Sequence, residues 1–430
     1  MLSILLLFLP LQSGALDWSE RELAIIQSLS PQLPPMPLPP NPSNQYADDP
    51  AAAHLGQLLF FDEGLSPSGT VSCATCHDPE KGWGDGLPVS EGVGNTAFNA
   101  PTILNSAYGQ WQFWDGRTDS LWSQALQPVE SDVEMNSSRT FVLHRIASEP
   151  TLNAAWEMCF GPLPDMSNRN RFPENACPPP QKPQNPFEIV EPSTDSRHLA
   201  WAEMTIADQN KVNEQYSKFG KAIEAFERKI VSGPSAFDFF AAGLRREFRG
   251  DPSALSADAQ LGLRFFMGEG NCISCHFGPQ LTDGEFHNVG MALPEGSPFD
   301  DGRPTGIRKL REDQFNGRGL FSDSKEWATN QHLLYLTYTE HTFGAYKTPS
   351  LRNSTRTAPY GHDGRFSSLE EVLEFYSVLP DTPPVGHREE TLLPLDLTDQ
   401  QKKQLLALLS SLAGYKVPKE LRVPGLSKSD

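Results

Sequence analysis

The sequence predicts a mainly α-helical protein built from two similar units with long loops. Residues 51–61 place leucines on one helical face, and a Cys-x-x-Cys-His motif follows at 73–77. Residues 256–267 repeat this pattern and lead into a second motif at 272–276. A glycine-rich segment, typical of a loop, follows each motif. The sequence has no run of alternating polar and apolar residues that would predict strands. The repeated order indicates duplication of one unit.

Further helices are predicted from apolar spacing and capping residues. A short helix is expected at 118–127. The last helix begins at Thr398, and Gln401 stands at the spacing of a capping box. An amphipathic helix that ends at Gly233-Pro234 carries apolar side chains at helical spacing, namely Tyr216, Phe219, Ile223, Phe226 and Ile230.

The chain length of 430 residues is enough for two or three domains with separate cores. We expect an N-terminal domain over 16–233, with a proline-rich insertion at 160–197. The C-terminal domain is expected over 234–425. Residues 1–15 are typical of a secretory signal, because a short apolar run is followed by the small residues Ser13, Gly14 and Ala15. The sequence therefore predicts export to the periplasm as a soluble protein.

The charge balance excludes two classes of partner. The formal net charge is −19, from 54 acidic and 35 basic residues. Such a chain should repel nucleic acid and anionic membranes, and no later apolar run reaches membrane length. The charge could steer a basic soluble partner or could serve solubility alone. A monomer and a homodimer both remain open.

The two Cys-x-x-Cys-His motifs predict two covalently bound haem c groups. In this motif both thiols add to haem vinyl groups and the adjacent histidine binds the iron. A zinc site would need further ligands at short spacing, and none follows the first motif until His144. The predicted attachment residues are Cys73, Cys76 and His77 for haem one and Cys272, Cys275 and His276 for haem two. The remaining cysteines, Cys159 and Cys177, are expected to form a disulfide in an oxidising compartment.

Few strong iron ligands follow the first motif. No histidine lies between His77 and His144, and the only methionine of that interval is Met135. An open iron site binds and activates small oxidants, whereas a closed site mostly passes electrons.

Several longer motifs carry a family resemblance. They are Phe113-Trp114-Asp115-Gly116-Arg117, then Gln124, Pro128, Glu134 and Met135, then Lys347-Thr348-Pro349-Ser350-Leu351-Arg352-Asn353, Thr357-Ala358-Pro359-Tyr360 and His362-Asp363-Gly364. In this order they resemble bacterial di-haem cytochrome c peroxidases and MauG-type enzymes. The resemblance covers roughly residues 50–415 outside the insertion. It implies the di-haem cytochrome c peroxidase fold, with two cytochrome c-like domains.

The resemblance also implies roles for single residues. His77 would be the proximal ligand of the haem that reacts with hydrogen peroxide, and His276 that of the second haem. Trp114 would relay electrons between the haems, and Pro128 would sit over the open face. Gln124 and Glu134 match the distal-pocket pair. Peroxide heterolysis needs a proton moved between its two oxygens, which a carboxylic acid can do while an amide orients the peroxide. A calcium ion between the haems would be bound by Asn99, Thr357 and Pro359.

Three departures from the family pattern bear on the mechanism. Activation-gated peroxidases carry a second histidine after the first motif, but residues 89–96 contain none, so haem one should be open as isolated. Tyr376 stands where those peroxidases have a methionine ligand to haem two, and MauG-type enzymes have a tyrosine there. Gly270 and Asn271 replace a surface tryptophan of the methylamine-utilisation enzyme. The alternative ligands to haem two are His287, Met291 and His362.

The sequence therefore leaves three functions open. The first is a peroxidase that reduces hydrogen peroxide with electrons from a small cytochrome c or copper protein. The second is a MauG-like enzyme that uses oxidising equivalents from peroxide to oxidise Trp or Tyr residues of a partner protein. The third is an electron-transfer cytochrome without catalysis. The Gln124 and Glu134 pair argues against the third.

Overall fold

The computed structural model describes residues 16–31, 36–179, 193–247, 249–291, 300–324, 326, 330–379, 383 and 385–425. Within them the chain is mainly helical, which confirms the predicted fold class. The helices are α1 Glu20–Ser28, α2 Pro50–Phe60, α3 Cys73–Cys76, α4 Leu121–Gln124, α5 Gln127–Glu130, α6 Arg139–Ser148, α7 Pro150–Phe160, α8 Ser196–Glu203, α9 Ile206–Glu227, α10 Ala236–Leu244, α11 Ala257–Met267, α12 Arg303–Glu312, α13 His332–Tyr335, α14 Leu369–Val378 and α15 Asp399–Ser411. Two short antiparallel strands, β1 Phe286–His287 and β2 Tyr346–Lys347, pair Phe286 with Lys347.

The first apolar core forms where α2 and α4 pack against the long helix α9. α2 begins cleanly because the Asp49 side chain caps it and proline occupies its first turn. Gly56 lets α2 approach α9 closely, since a Cβ there would lie 1.9 Å from the Ala222 carbonyl oxygen. Phe60 and Phe226 meet in this core, with ring centroids 5.2 Å apart. The core supports the loop that carries the first motif.

The second apolar core forms between α11 and α15. α15 has the predicted capping box between Thr398 and Gln401. α1 also packs here, through Ile26 and Leu29, whereas Phe315 from the C-terminal half lies in the first core. Both cores thus draw on chain from either side of residue 233, and the division into domains stays a prediction.

Local structure differs from expectation in two helices. The expected helix at 118–127 is divided into α4 and α5. α9 ends at Glu227, and Ile230 is buried beyond the helix. Gly233 instead lies in an extended segment, where its N–H donates to the Tyr415 carbonyl at 3.0 Å. The predicted last turn of α9 is therefore absent, and the segment that would have formed it pairs with the C-terminal segment at Tyr415.

The expected disulfide is wrong, because both cysteines are free thiols in different surroundings. Cys159 lies at the end of α7 near Asp49, whereas Cys177 is buried beside Glu130 and Arg139. Burial raises the pKa of both thiols.

Two other predictions concern the chain ends and membranes. The expected signal, 1–15, lies outside the described residues, as does part of the expected insertion at 160–197. Among the helices in the described ranges, none is long and apolar enough to cross a bilayer.

Candidate haem site

One cavity of about 1180 Å³ lies between the two cores and is lined by both Cys-x-x-Cys-His motifs. The structure brings together every residue that the sequence and the family resemblance assigned to the site. Around this cavity lie Cys73, Cys76, His77, Asn99, Trp114, Gln124, Pro128, Glu134, Cys272, Cys275, His276, Thr357, Pro359 and Tyr376.

The two motif histidines are held in the same way. The Nδ1 atom of His77 lies 3.2 Å from the Trp83 carbonyl oxygen, and that of His276 lies 3.0 Å from the Leu281 carbonyl oxygen. Because a carbonyl only accepts, Nδ1 carries the proton and Nε2 keeps its lone pair for a metal. Burial lowers the pKa of both imidazoles, which favours the neutral form that ligates iron. Trp83 and Leu281 both have left-handed backbone, with φ of 65° and 51°.

The wall beside the first motif carries the predicted distal pair. Gln124 ends α4, which the Ser120 side chain caps, and Pro128 stands in α5. The loop that follows folds back, with the Met135 N–H donating to the Pro128 carbonyl at 3.1 Å. This return places the half-buried Glu134 in the cavity wall.

Segment 89–96 fixes the backbone of Glu134. The Val93 N–H donates to the Glu134 carbonyl at 2.9 Å. Gly92 packs directly on the same peptide, where a Cβ would lie 2.3 Å from the Glu134 oxygen. The segment that lacks the extra histidine therefore positions the predicted acid.

Trp114 is anchored at both its ring and its backbone. Its Nε1–H donates to the Asn99 carbonyl at 2.9 Å, and its own carbonyl accepts from the Lys347 N–H at 2.8 Å. The Asn99 N–H donates to the His362 carbonyl at 2.9 Å. These bonds tie Trp114 to segments from both halves of the chain.

The predicted calcium ligands offer neutral oxygen atoms to the same cavity. They are the Asn99 side-chain oxygen, the Thr357 hydroxyl and the Pro359 carbonyl. Amide, hydroxyl and carbonyl oxygens suit a hard cation such as Ca²⁺. The Asn99 side-chain N–H donates to the Leu87 carbonyl at 2.6 Å, which fixes the orientation of the amide.

Tyr376 lies on α14 at the wall of the second motif. The Ser368 side chain caps this helix through the Glu371 N–H, as the sequence predicts. The hydroxyl is buried near Cys272 and Cys275, and burial raises the pKa of Tyr376 to about 12.

The alternative ligands to haem two have different surroundings. Both ring nitrogens of His287 face carboxylates at 2.8 Å, Asp283 at Nε2 and Glu389 at Nδ1. Asp283 is the largest cause that raises the pKa of His287 to about 11, followed by the Cys275 sulfur and by Glu389, so the ring is a paired cation and has no free lone pair. His362 stacks on Tyr346 with centroids 3.8 Å apart, and its Nε2 has no hydrogen-bond partner.

Lys347 is a cavity residue to which the sequence gave no role. Its ammonium group faces the cavity and makes no ion pair or hydrogen bond with the side chains described, and burial lowers its pKa to about 8. A buried ammonium needs an anionic partner. The carboxylates of a bound haem would supply one. The free Nε2 atoms, the cavity volume and this lysine therefore fit two haem groups.

Comparison with known proteins gives the family. The sequence model described as CCP_MauG, di-haem cytochrome c peroxidase, matches residues 50–177. The chain is 32% identical over 387 residues to cytochrome-c peroxidase IdrP1 of Denitromonas iodatirespirans, covering 89% of this chain and 85% of that protein. This chain belongs to the di-haem cytochrome c peroxidase and MauG family. It is therefore a di-haem oxidoreductase that acts on peroxide.

Proteins named MauG and proteins named peroxidase are both similar to this chain. The methylamine utilization protein MauG of Methylorubrum extorquens is 31% identical over 399 residues, covering 92% of this chain and 86% of that protein. The diheme peroxidase BthA of Burkholderia thailandensis has the same fold, with a TM-score of 0.61, 20% identity and coverage of 93% and 98%. A MauG-like protein associated with microbial copper homeostasis has a TM-score of 0.57, 24% identity and coverage of 92% and 97%.

Sequence reasoning missed the groups that act through their backbone. The Trp83 and Leu281 carbonyls follow their histidines by six and five residues, within loops whose glycines indicate only irregular structure. The similar distance from each motif is the one signal that could have indicated them.

Proposed function

We propose that this protein is a periplasmic di-haem peroxidase that reduces hydrogen peroxide with electrons from a small cytochrome c or copper protein. The observation that carries the proposal is the single cavity, which has both haem motifs and the Gln124 and Glu134 pair in its walls. A pure electron carrier has no need of an acid and an amide beside one haem. When bound, haem supplies the iron redox chemistry that cleaves the peroxide bond.

The residues of the N-terminal wall act on the peroxide. Gln124 orients it by hydrogen bonding through its side-chain amide. The Glu134 carboxyl group takes the proton from one peroxide oxygen and returns it to the other, so that water leaves. Pro128 restricts the space above the iron. His77 would hold the iron of haem one through Nε2, because the Trp83 carbonyl accepts from its Nδ1–H.

The residues between the motifs serve electron transfer and structure. Trp114 would relay electrons between the haem held by His276 and the haem held by His77. Asn99 holds the Trp114 indole through its carbonyl and, with Thr357 and Pro359, binds calcium. Tyr376 would hold the iron of haem two through its phenolate oxygen. An anionic oxygen ligand of this kind favours the ferric and higher states of iron.

A MauG-like oxidation of a partner protein is the second candidate function. The observation that favours it is Tyr376, placed beside Cys272 and Cys275. As an anionic ligand, Tyr376 would favour the higher oxidation states of haem two, and a bound haem of this kind would supply the oxidising power for Trp or Tyr side chains of a docked protein. The oxidation of a separate protein substrate thus differs from peroxidase turnover only in the source of the electrons.

Low-temperature EPR of the ferric holoprotein, before and after stoichiometric peroxide, tests the proposal. We expect one high-spin and one low-spin haem, with both signals lost on addition of peroxide. Glu134→Gln should slow this loss by about 10²-fold. Asp132→Asn is the matched control, because Asp132 is an exposed carboxylate of the same loop that pairs with Arg197 at 2.6 Å.

Two results would contradict parts of this assignment. Two low-spin haems that react only after partial reduction would mean an activation-gated peroxidase with a further ligand at haem one. A Glu134→Gln rate equal to that of Asp132→Asn would remove Glu134 from the chemistry.

A further inference from the structure

Glu227 is a buried carboxyl group in the haem cavity to which the proposed peroxide chemistry gives no role. It is the last residue of α9, is 2% exposed and lines the cavity on the side of the first motif. Its Oε2 atom is fully buried and has no hydrogen-bond partner. An unpartnered carboxylate in such a place is costly. The site therefore favours the neutral acid whenever no positive charge is near.

The neighbouring charged residues of α9 show how unusual this group is. Glu224, one turn earlier, accepts from the Asn41 side chain at 2.5 Å and from the Trp122 N–H at 3.2 Å. Arg228, the next residue, pairs with Asp48 at 2.8 Å. The nearest cation of the helix is thus engaged elsewhere, and Glu227 faces the cavity without one.

The ionisable groups around Glu227 come from two elements. On α9 itself, the Glu224 carboxylate repels a charge on Glu227. From α3, the Cys73 thiol interacts with Glu227, and this thiol becomes an uncharged thioether when haem is attached. α2 packs along α9 and carries one titratable side chain, His54. Burial is the main cause that raises the Glu227 pKa well above its usual range, and Glu224 adds to it.

We propose that Glu227 is the proton acceptor that couples reduction of haem one to proton uptake. Ferric haem carries one more positive charge than ferrous haem, and at short range in a buried site this charge stabilises the carboxylate. When the donor protein delivers an electron, that stabilisation is lost. Glu227 then takes a proton from solvent and forms an O–H bond, so that one electron and one proton enter together.

This coupling rests on the proposed function, since it describes how the peroxide-reacting haem is returned to its reduced states. It supplies the cavity with a proton at the stage when peroxide reduction consumes protons. Glu227 compensates the change in charge at haem one by taking up a proton, and it does not contact peroxide. Glu227 lies on α9 near Cys73, whereas Gln124 ends α4 and Glu134 lies in the loop after α5.

The test is the pH dependence of the haem-one reduction potential in the holoprotein, measured by spectroelectrochemistry. The wild-type potential should fall as pH rises. The slope should approach about 59 mV per pH unit, which corresponds to a tenfold change in the one-electron reduction equilibrium. Glu227→Gln should abolish this slope over the same pH range. Glu214→Gln, the matched control on the same helix, should keep the wild-type slope, because Glu214 is exposed and pairs with Lys218 at 2.9 Å.

Infrared difference spectra on reduction give a second measurement that needs no variant. Wild-type protein should gain the C=O stretch of a protonated carboxylic acid when haem one is reduced. A Glu227→Gln slope equal to wild type, or the absence of that band, would overturn the proposal. Failure of haem one to react with peroxide, with the slope intact, would instead overturn the peroxidase function and leave the coupling in place.

Discussion

Replacement of Gly92 by alanine tests whether the position of Glu134 controls the reaction with peroxide. A Cβ at Gly92 would lie 2.3 Å from the Glu134 carbonyl oxygen, 2.6 Å from its Cα and 2.7 Å from the Val133 oxygen. All three atoms are backbone, so no side-chain rotation relieves the overlap. The Glu134 peptide must move by about 1.1 Å, from 2.3 to 3.4 Å, to restore ordinary contact, and a misplacement of about 1 Å costs up to about 10²-fold in rate.

Stopped-flow absorbance of the ferric holoprotein mixed with peroxide measures the effect. We expect Gly92→Ala to react about 10²-fold more slowly than wild type, with normal haem content. Gly94→Ala is the matched control in the same loop, because its Cβ would lie at an ordinary 3.5 Å from the Val133 side chain. That variant should react at the wild-type rate.

A double variant separates displacement of Glu134 from general damage. Since Gly92 acts through Glu134, Gly92→Ala combined with Glu134→Gln should be no slower than Glu134→Gln alone. Equal rates for Gly92→Ala and Gly94→Ala would refute the reasoning, because the overlap would then have no effect on the acid. Fully additive losses would mean that Gly92 acts on some other group.

Three further predictions address the second haem and the fold. Tyr376→Phe should change the low-spin EPR signal of haem two while both haems stay attached. An identical spectrum would mean that His362 or Met291, and not Tyr376, is the ligand of haem two. Arg352→Met should lower the free energy of unfolding by about 3–5 kcal/mol in urea titrations, because it removes the cation that donates to buried Asp238 at 2.9 and 3.0 Å and leaves that carboxylate only the neutral donors Ser30 and Ser235; a loss below about 1 kcal/mol would contradict this. The pKa of His287, raised to about 11, exceeds its unfolded value near 6.5, so its ion pairs stabilise the fold fully below that pH and progressively less as pH rises towards 11. The difference in melting temperature between wild type and His287→Gln should therefore shrink between about pH 6 and about pH 10, and a constant difference would exclude a charged imidazole.

Local signals predicted the helices that have clear caps and apolar faces. α11 and α15 lie within a residue of their expected starts, and the box at Thr398 is present. The end of α9 was not predictable, because Gly233 pairs with Tyr415, a residue far along the chain. The disulfide failed for the same reason, since spacing cannot say that Cys159 and Cys177 pack against different elements.

The sequence by itself determined the cofactor chemistry, because attachment of haem needs two thiols and a histidine within five residues. It also determined the order of the longer motifs, from which the family follows. Only the tertiary structure decided which groups share the cavity. His287 is withdrawn from ligation by two carboxylates, one of them distant in sequence, and Glu227 faces the cavity because α9 ends there. Such contacts depend on how the chain folds back on itself, and spacing along the chain does not record them.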